Sequence, residues 1–507
     1  MDKVTKKELE RLVNIEKRVE EYFKEWGLLT TDITFEVTTA QRVLEGMSYM
    51  FPTNFSHWTF GRDYERHRTV YEHTGGGIPY EQVWNFKKPR AFLVETNPFV
   101  LNATIVGHVF GHVDFFLGSR YLQHGRSYSN IAEEARSAAE RFSQYEEKYG
   151  SEVERLIDAG ISIMWHCHPD PFFEEQDEEV VRERLIELER DKLKQTNDLD
   201  SKFKKPETKE QIAQIDKKLE ELSTKTPPEP TYDLLSYIIK HSQRPLKPWM
   251  IDVLTVLRNQ ARCLDPNMRT KMLNEGWSVY WHVRVVRRLA DEGLITPEEH
   301  GIYNYYHSSV TRKSKKSFNW YSIGWQVFES IKERWDKGRF GPEYDSEESP
   351  YKKANWNSNS QMGDQKIKEV RSFYSDRMAV EEFFTDDFIR EQGLYIYVSV
   401  DNGNGSQIDV IAEDDPKAIR QMLKSMLTLY GKTLIVIEDG DYHKKGFLSL
   451  KHIDTGFELD PKYRDGTLEK IHYLWGKRVY LACKEEEKDK QFSFDFENRK
   501  KGKANVH

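Results

Sequence analysis

The run from Pro98 to Leu117 is apolar at almost every position, yet it carries His108 and His112 one helical turn apart. Its length and lack of interior proline predict a helix, and a helix apolar on all sides has to be covered by other elements. Two polar rings inside such a helix need partners, because a buried nitrogen without one is costly. Residues four apart leave the same helix face about 6 Å apart. Two imidazoles so placed suit one divalent ion held at ~2.0–2.1 Å. The alternative is a pair of core histidines bonded to nearby carboxylates or carbonyls. A zinc protease helix of the His-Glu-x-x-His kind would place a general base at position 109, but this chain has Val109. A water-activating carboxylate must therefore come from elsewhere.

Glu275 and His307 are the best third ligands, and Glu275 is also the candidate catalytic carboxylate. Asn274 is read as the N-cap of a helix reaching Gly293, which puts Glu275 in its first turn, where the helix dipole favours an anion. Capping alone would also account for that glutamate. His282 shares its face but lies ~10.5 Å further along the axis. It is read as a supporting or core residue rather than a ligand beside Glu275. His57 and Glu65, in an aromatic-rich stretch, are candidates to line a pocket. Thr104 lies one turn before His108 on the same stripe. His166-Cys167-His168 is a weaker ligand trio, because adjacent side chains diverge. No nucleophile triad or nucleotide fingerprint is found, and Gly75-Gly76-Gly77 lacks the Lys-Ser/Thr of a phosphate loop.

The 507 residues are enough for two or three domains, and an aromatic share of 13% argues for packed structure. The formal charge of −8 makes nucleic acid an unexpected partner. No apolar run is expected to reach the ~20 residues of a membrane span. The charged start, Met1 to Arg11, lacks the apolar stretch of a secretory signal. Three dispersed cysteines, Cys167, Cys263 and Cys483, form neither a disulfide framework nor a zinc pair. A reducing cytoplasm is the expected location.

Helical spacing dominates residues 1–340, which read as one mainly α domain interrupted by a charged insertion at about 174–230. That insertion is either a solvated helical hairpin or partly disordered. Residues 341–365 read as a linker. Strand-like alternation then alternates with helices over 366–484, giving a smaller α+β domain. Asn402-Gly403-Asn404-Gly405 and Asp439-Gly440-Asp441 are its expected hairpin turns. Residues 485–507 read as a charged tail.

The order of several blocks resembles the stage V sporulation protein R (SpoVR) family. They are Ser56-His57-Trp58-Thr59-Phe60-Gly61 with Tyr64-Glu65, Glu95-Thr96-Asn97, and Gly107-His108-Val109-Phe110-Gly111-His112. Asn274-Glu275-Gly276-Trp277 with Trp281-His282, Tyr306-His307-Ser308, and Leu474-Trp475-Gly476 continue the series. The resemblance implies a cytoplasmic bacterial protein connected, in spore formers, with assembly of the spore cortex. It also implies occurrence in bacteria that make no spores, and it carries no assigned reaction. The insertion is longer than the family's usual pattern, and Asn319-Trp320-Tyr321 stands where an Asn-Pro-Tyr loop is expected after His307. Two functions fit. One is a regulatory or scaffold protein with a buried His/Glu site, meeting a protein partner through the insertion or the C-terminal domain. The other is a metal-dependent hydrolase (zinc, iron or manganese) acting on a peptide or amide bond, such as one in a cell-wall precursor.

Overall fold

A computed structural model describes the chain apart from residues 1–4, 49–54, 56, 75–80, 127–130, 204–205, 404–405, 429–431, 498–503 and 507. Ser56, Gly75-Gly76-Gly77 and the Asn404-Gly405 half of one expected turn thus lie outside the described residues. The elements begin with α1 (Lys6–Glu25), β1 (Thr34–Thr38), α2 (Ala40–Ser48), α3 (Trp58–Thr74), β2 (Glu81–Trp84), β3 (Arg90–Val94) and α4 (Phe99–Gly118). Next come α5 (Arg120–Arg126), α6 (Ile131–Tyr149), α7 (Ser151–Ile163), α8 (Glu178–Phe203), α9 (Pro206–Thr224), α10 (Leu234–His241) and α11 (Pro248–Arg269). The long helices α12 (Lys271–Asp291), α13 (Pro297–Val310) and α14 (Trp320–Asp336) follow. Five short ones succeed them: α15 (Gly341–Asp345), α16 (Pro350–Ala354), α17 (Gly363–Phe373), α18 (Asp376–Phe383) and α19 (Asp386–Gln392). The remainder is β4 (Ile396–Asp401), β5 (Gln407–Glu413), α20 (Pro416–Leu427), β6 (Ile435–Tyr442), β7 (Phe447–His452), α21 (Pro461–Trp475), β8 (Val479–Glu485), β9 (Lys488–Phe494) and β10 (Asn505–Val506). The protein is mainly α with a smaller α+β part. Its residues gather into two compact units, Met1–Ser137 with Cys263–Gly431, and Ala138–Arg262 with Lys432–His507.

In the first unit α4 is the hub. It is long and apolar enough, by length and composition, to cross a membrane, which corrects the expectation from sequence. Every residue from Phe99 to Phe116 is nevertheless buried by protein, because α1, α12 and α13 pack around it. Its polar residues are tied down. Asp114 accepts hydrogen bonds from Leu29 N (2.7 Å) and Trp277 Nε1 (2.9 Å) and pairs with Arg371 at 3.2 Å. The close approach of α12 rests on Gly111, where an added Cβ would stand 2.7 Å from Ser278 Cα. On its other side α12 meets α14 backbone to backbone at Gly276 and Gly324. These small residues bring α12 within side-chain reach of the α4 histidines.

Helix α12 starts at Lys271, earlier than the Asn274 cap read from sequence. Thr270 makes no side-chain cap. The cap comes instead from Asp376, at the start of α18, whose carboxylate accepts from Met272 N (2.8 Å) and Leu273 N (3.0 Å). A carboxylate 103 residues distant in sequence from Leu273 leaves no local signal. Asn274 and Glu275 therefore lie inside the helix, with their side chains free for other work. The same unit holds the sheet β1-β3-β2, with β1 parallel and β2 antiparallel to β3, and the separate hairpin β4-β5.

In the second unit the charged segment forms two packed helices, α8 and α9, linked by Lys218 to Glu189 at 2.7 Å. Of the alternatives open from sequence, the hairpin is the one observed over the described residues. The five-stranded sheet runs β10-β9-β8-β7-β6. Asp439-Gly440-Asp441 is not its turn. Strand β6 continues through these residues with register shifts, and the chain reverses at His443–Gly446, where His443, Lys444 and Gly446 have positive φ. Gly440 is pressed against the Tyr237 hydroxyl and donates its N–H to Thr226 O, interactions that hold it in the strand. Residues after Lys484, read as a charged tail, include β9, whose Phe492 and Phe494 are buried as it pairs with β8. The 341–365 stretch carries α15, α16 and the start of α17.

Candidate metal centre

Helix α4 presents His108 and His112 from consecutive turns, ring centroids 4.6 Å apart, and α12 brings Glu275 against both. One Glu275 oxygen, Oε2, lies 3.6 Å from His108 Nε2 and 3.5 Å from His112 Nε2. One ligand atom from each residue falls within 4.8 Å of the others. The side chains are 6%, 8% and 13% exposed in that order, so all three are largely buried.

Hydrogen bonding decides which nitrogens face the centre. His112 Nδ1 lies 2.9 Å from Asn274 Oδ1, an acceptor, so the ring's proton sits on Nδ1. A neutral His112 then aims an Nε2 lone pair at the Glu275 carboxylate. His108 Nδ1 meets His282 Nδ1 at 2.9 Å, and His282 Nε2 meets His307 Nδ1 at 3.3 Å. Two proton arrangements satisfy this chain of three imidazoles. In one, each ring donates outward and His108 Nε2 keeps a lone pair for the centre. In the other, each donates inward and His108 Nε2–H points at Glu275. A bound cation selects the first.

The electrostatics favour neutral His112 and His282 and an anionic Glu275. Burial pushes His112 down to about 4, reinforced by His108 and opposed by Glu275. Burial likewise holds His282 well below the ordinary histidine range, with the neighbouring His108 and His307 adding to the effect. His307 is lowered by burial and by Arg287. For Glu275, burial favours the neutral acid, but hydrogen bonding to His108 and the fields of both histidines outweigh it. Its carboxyl is held at about 2. Two imidazole nitrogens converging on one carboxylate oxygen at 3.5–3.6 Å form a cluster that a cation can bridge. Phe116 stacks on His112 and Tyr321 on His108, giving the centre an aromatic wall.

Of the residues singled out from sequence, the structure brings His108, His112 and Glu275 together. His307 reaches them only through His282, which stands between it and His108. His57 is buried and bonds Thr59 Oγ1 at 2.7 Å, while Glu65 is exposed beside Arg68; neither belongs to the three-group cluster. Thr104 turns its hydroxyl to Val100 O. His166 lies in the second unit with Nδ1 3.2 Å from Ile163 O. Sequence reasoning missed the parts of Asn274 and Asp376. Asn274 does not cap the helix, because the cap comes from Asp376 on a remote helix.

A family model described as SpoVR like protein matches residues 6–432. The chain is also similar to the uncharacterized protein YcgB of Escherichia coli (strain K12). The two are 25% identical over 467 residues, which make up 89% of this chain and 88% of that protein. No solved structure matches.

Proposed function

The chain belongs to the SpoVR family, and from that premise we propose that its helical unit is a metal-binding centre, in which His108, His112 and Glu275 hold one divalent cation. The observation that carries the reading is the convergence of one ligand atom each from His108, His112 and Glu275 within 4.8 Å of one another. Asn274 fixes the His112 proton on Nδ1, so the nitrogen facing an anionic carboxylate has nothing to donate to it. A cation can bridge the two.

Two histidines and one carboxylate suit zinc, iron or manganese. Three protein ligands leave coordination open, as in catalytic rather than structural sites. Such an ion supplies Lewis-acid polarisation and an acidified water. Around it, Glu275 balances charge, Asn274 and His282 orient the two rings, and Phe116 with Tyr321 limits water. The reaction class that fits is hydrolysis of a peptide or amide bond. In spore formers the family name connects this with the spore cortex, and a cytoplasmic setting suits the three free cysteines. One observation favours the second reading, a regulatory or scaffold protein with a structural ion: the three ligands are largely buried, which narrows the approach for a substrate.

The test is elemental analysis of the full chain purified without a chelating tag. Near-stoichiometric zinc, iron or manganese is expected, falling to background in His112→Ala and Glu275→Gln variants that keep wild-type circular dichroism. A well-folded wild-type chain that neither carries nor takes up these ions overturns the reading.

A further inference from the structure

The hairpin β4-β5 stands apart from the other two sheets, and among the described residues both of its outer edges are unpaired. Its register sets Val398 opposite Val410 and Val400 opposite Ile408. Strand side chains alternate faces, so these four β-branched residues share one face. They are 37–47% exposed. The opposite face carries Ser399, Asp401, Gln407 and Asp409, with the Ser399 hydroxyl donating to Asp409 Oδ1 at 2.7 Å, and Tyr397 paired with the exposed Ile411 at its end.

From Leu394 to Asp415 the sequence has five acidic side chains and no lysine, arginine, histidine or proline. Lysine and proline are common devices for closing a sheet edge, and this hairpin has neither. A two-stranded ribbon is also marginal alone and gains from a third strand. The geometry points to β5 as a docking edge for an extended segment of a partner protein that alternates aliphatic and basic residues. Its backbone would pair with Gln407–Glu413. Its aliphatic side chains would extend the Val398/Ile408 face, and its lysines or arginines would meet Asp409 on the other. This is strand addition, with affinity from backbone bonds and selectivity from alternate side chains.

Charge selects the edge and the occupant. Lys315 already lies over the Tyr397 ring of β4, at 5.4 Å, so β4 has a cation at hand. A second copy of the chain adding along β5 would set acidic faces side by side, and like charges directly opposite destabilise a strand pair. The proposal is independent of the metal reading, because no ligand of that centre lies in the hairpin.

The probe is a fluorescein-labelled octapeptide alternating valine and lysine, titrated against the full chain by anisotropy. Controls are the same composition ordered in blocks and an alternating valine–glutamate peptide. Saturable binding is expected, at least ten-fold weaker for both controls, with hydrogen exchange slowed along Gln407–Glu413. Asp409→Asn, which can keep the Ser399 bond, should weaken the lysine peptide about three- to ten-fold. Ile408→Thr, on an exposed face, should do the same. Equal binding of the block-ordered peptide, protection elsewhere in the chain, or no binding overturns the proposal. So does protection of the hairpin that rises with protein concentration alone, which would identify a second copy as the occupant.

Discussion

At the scale of single residues, the metal-free centre already favours the Glu275 anion, because its histidine neighbours outweigh the cost of burial and hold the carboxyl at about 2. Glu275→Gln removes that anion, so metal binding should be lost and the thermal midpoint of the metal-free chain should fall. Calorimetry of the metal-free variant tests this; an unchanged or raised midpoint would mean that the histidines do not stabilise the carboxylate. The imidazole chain makes a graded prediction. His282→Leu leaves His108 Nδ1 without its acceptor and should weaken metal affinity ~10–100-fold, as loss of a supporting hydrogen bond commonly does. His307→Leu, one ring further out, should cost less. Competition titration against a chromogenic chelator reads both, and an equal effect from the two would contradict an ordering that runs outward from His108.

At the scale of elements, the centre depends on how closely α12 approaches α4. Gly111→Ala raises helix propensity by ~1 kcal/mol, but its methyl group would stand 2.7 Å from Ser278 Cα. Overpacking of this kind costs about 1–3 kcal/mol, so the variant should be destabilised and bind metal more weakly. Urea unfolding checks the first effect and metal titration the second. Unchanged stability would show that α12 can shift without consequence. This dependence explains what was legible beforehand. The helical pitch placed His108 and His112 on one face, and the apolar run declared α4 a core helix, because both are local properties. Glu275 was found as the one carboxylate with a local reason to be interesting, although that reason, a first-turn position, was mistaken. The cap from Asp376 and the Asn274 bond to His112 come from distant residues and had no local trace. Strand β9 was hidden for a related reason. Its lysines and aspartate hold the solvated end of a strand whose phenylalanines are buried only once β8 is beside it.

At the scale of the whole molecule, buried ionisable groups set how stability answers to pH. Burial lowers His112 in the first unit and His166 in the second to about 4 from an ordinary 6.5, and His282 is lowered as well. Between pH 6.5 and about 4 the unfolded chain binds these protons and the folded chain does not. Their contribution is therefore complete above pH 6.5 and is lost as pH falls through that window. Asp376 works the other way. Burial, resisted by its two backbone bonds, raises it from 3.8 to about 7, so the folded state takes up that proton first and loses stability as pH rises from 3.8 to 7. His307 and His452 are lowered as well, so the histidines outnumber Asp376 and the metal-free chain should lose stability as pH falls from 6.5 towards 4. Asp376→Asn removes the opposing group and should steepen the decline on acidification, while loss of one cap bond lowers stability at every pH. Because metal and proton compete for His112, saturating zinc should slow hydrogen exchange in α4 and α12 at pH 7.5 and lose that effect below about pH 5. A metal-free chain equally stable at pH 7 and pH 5 would mean that these histidines take up their protons without strain, and with that the account of neutral rings closing around an anion would fall.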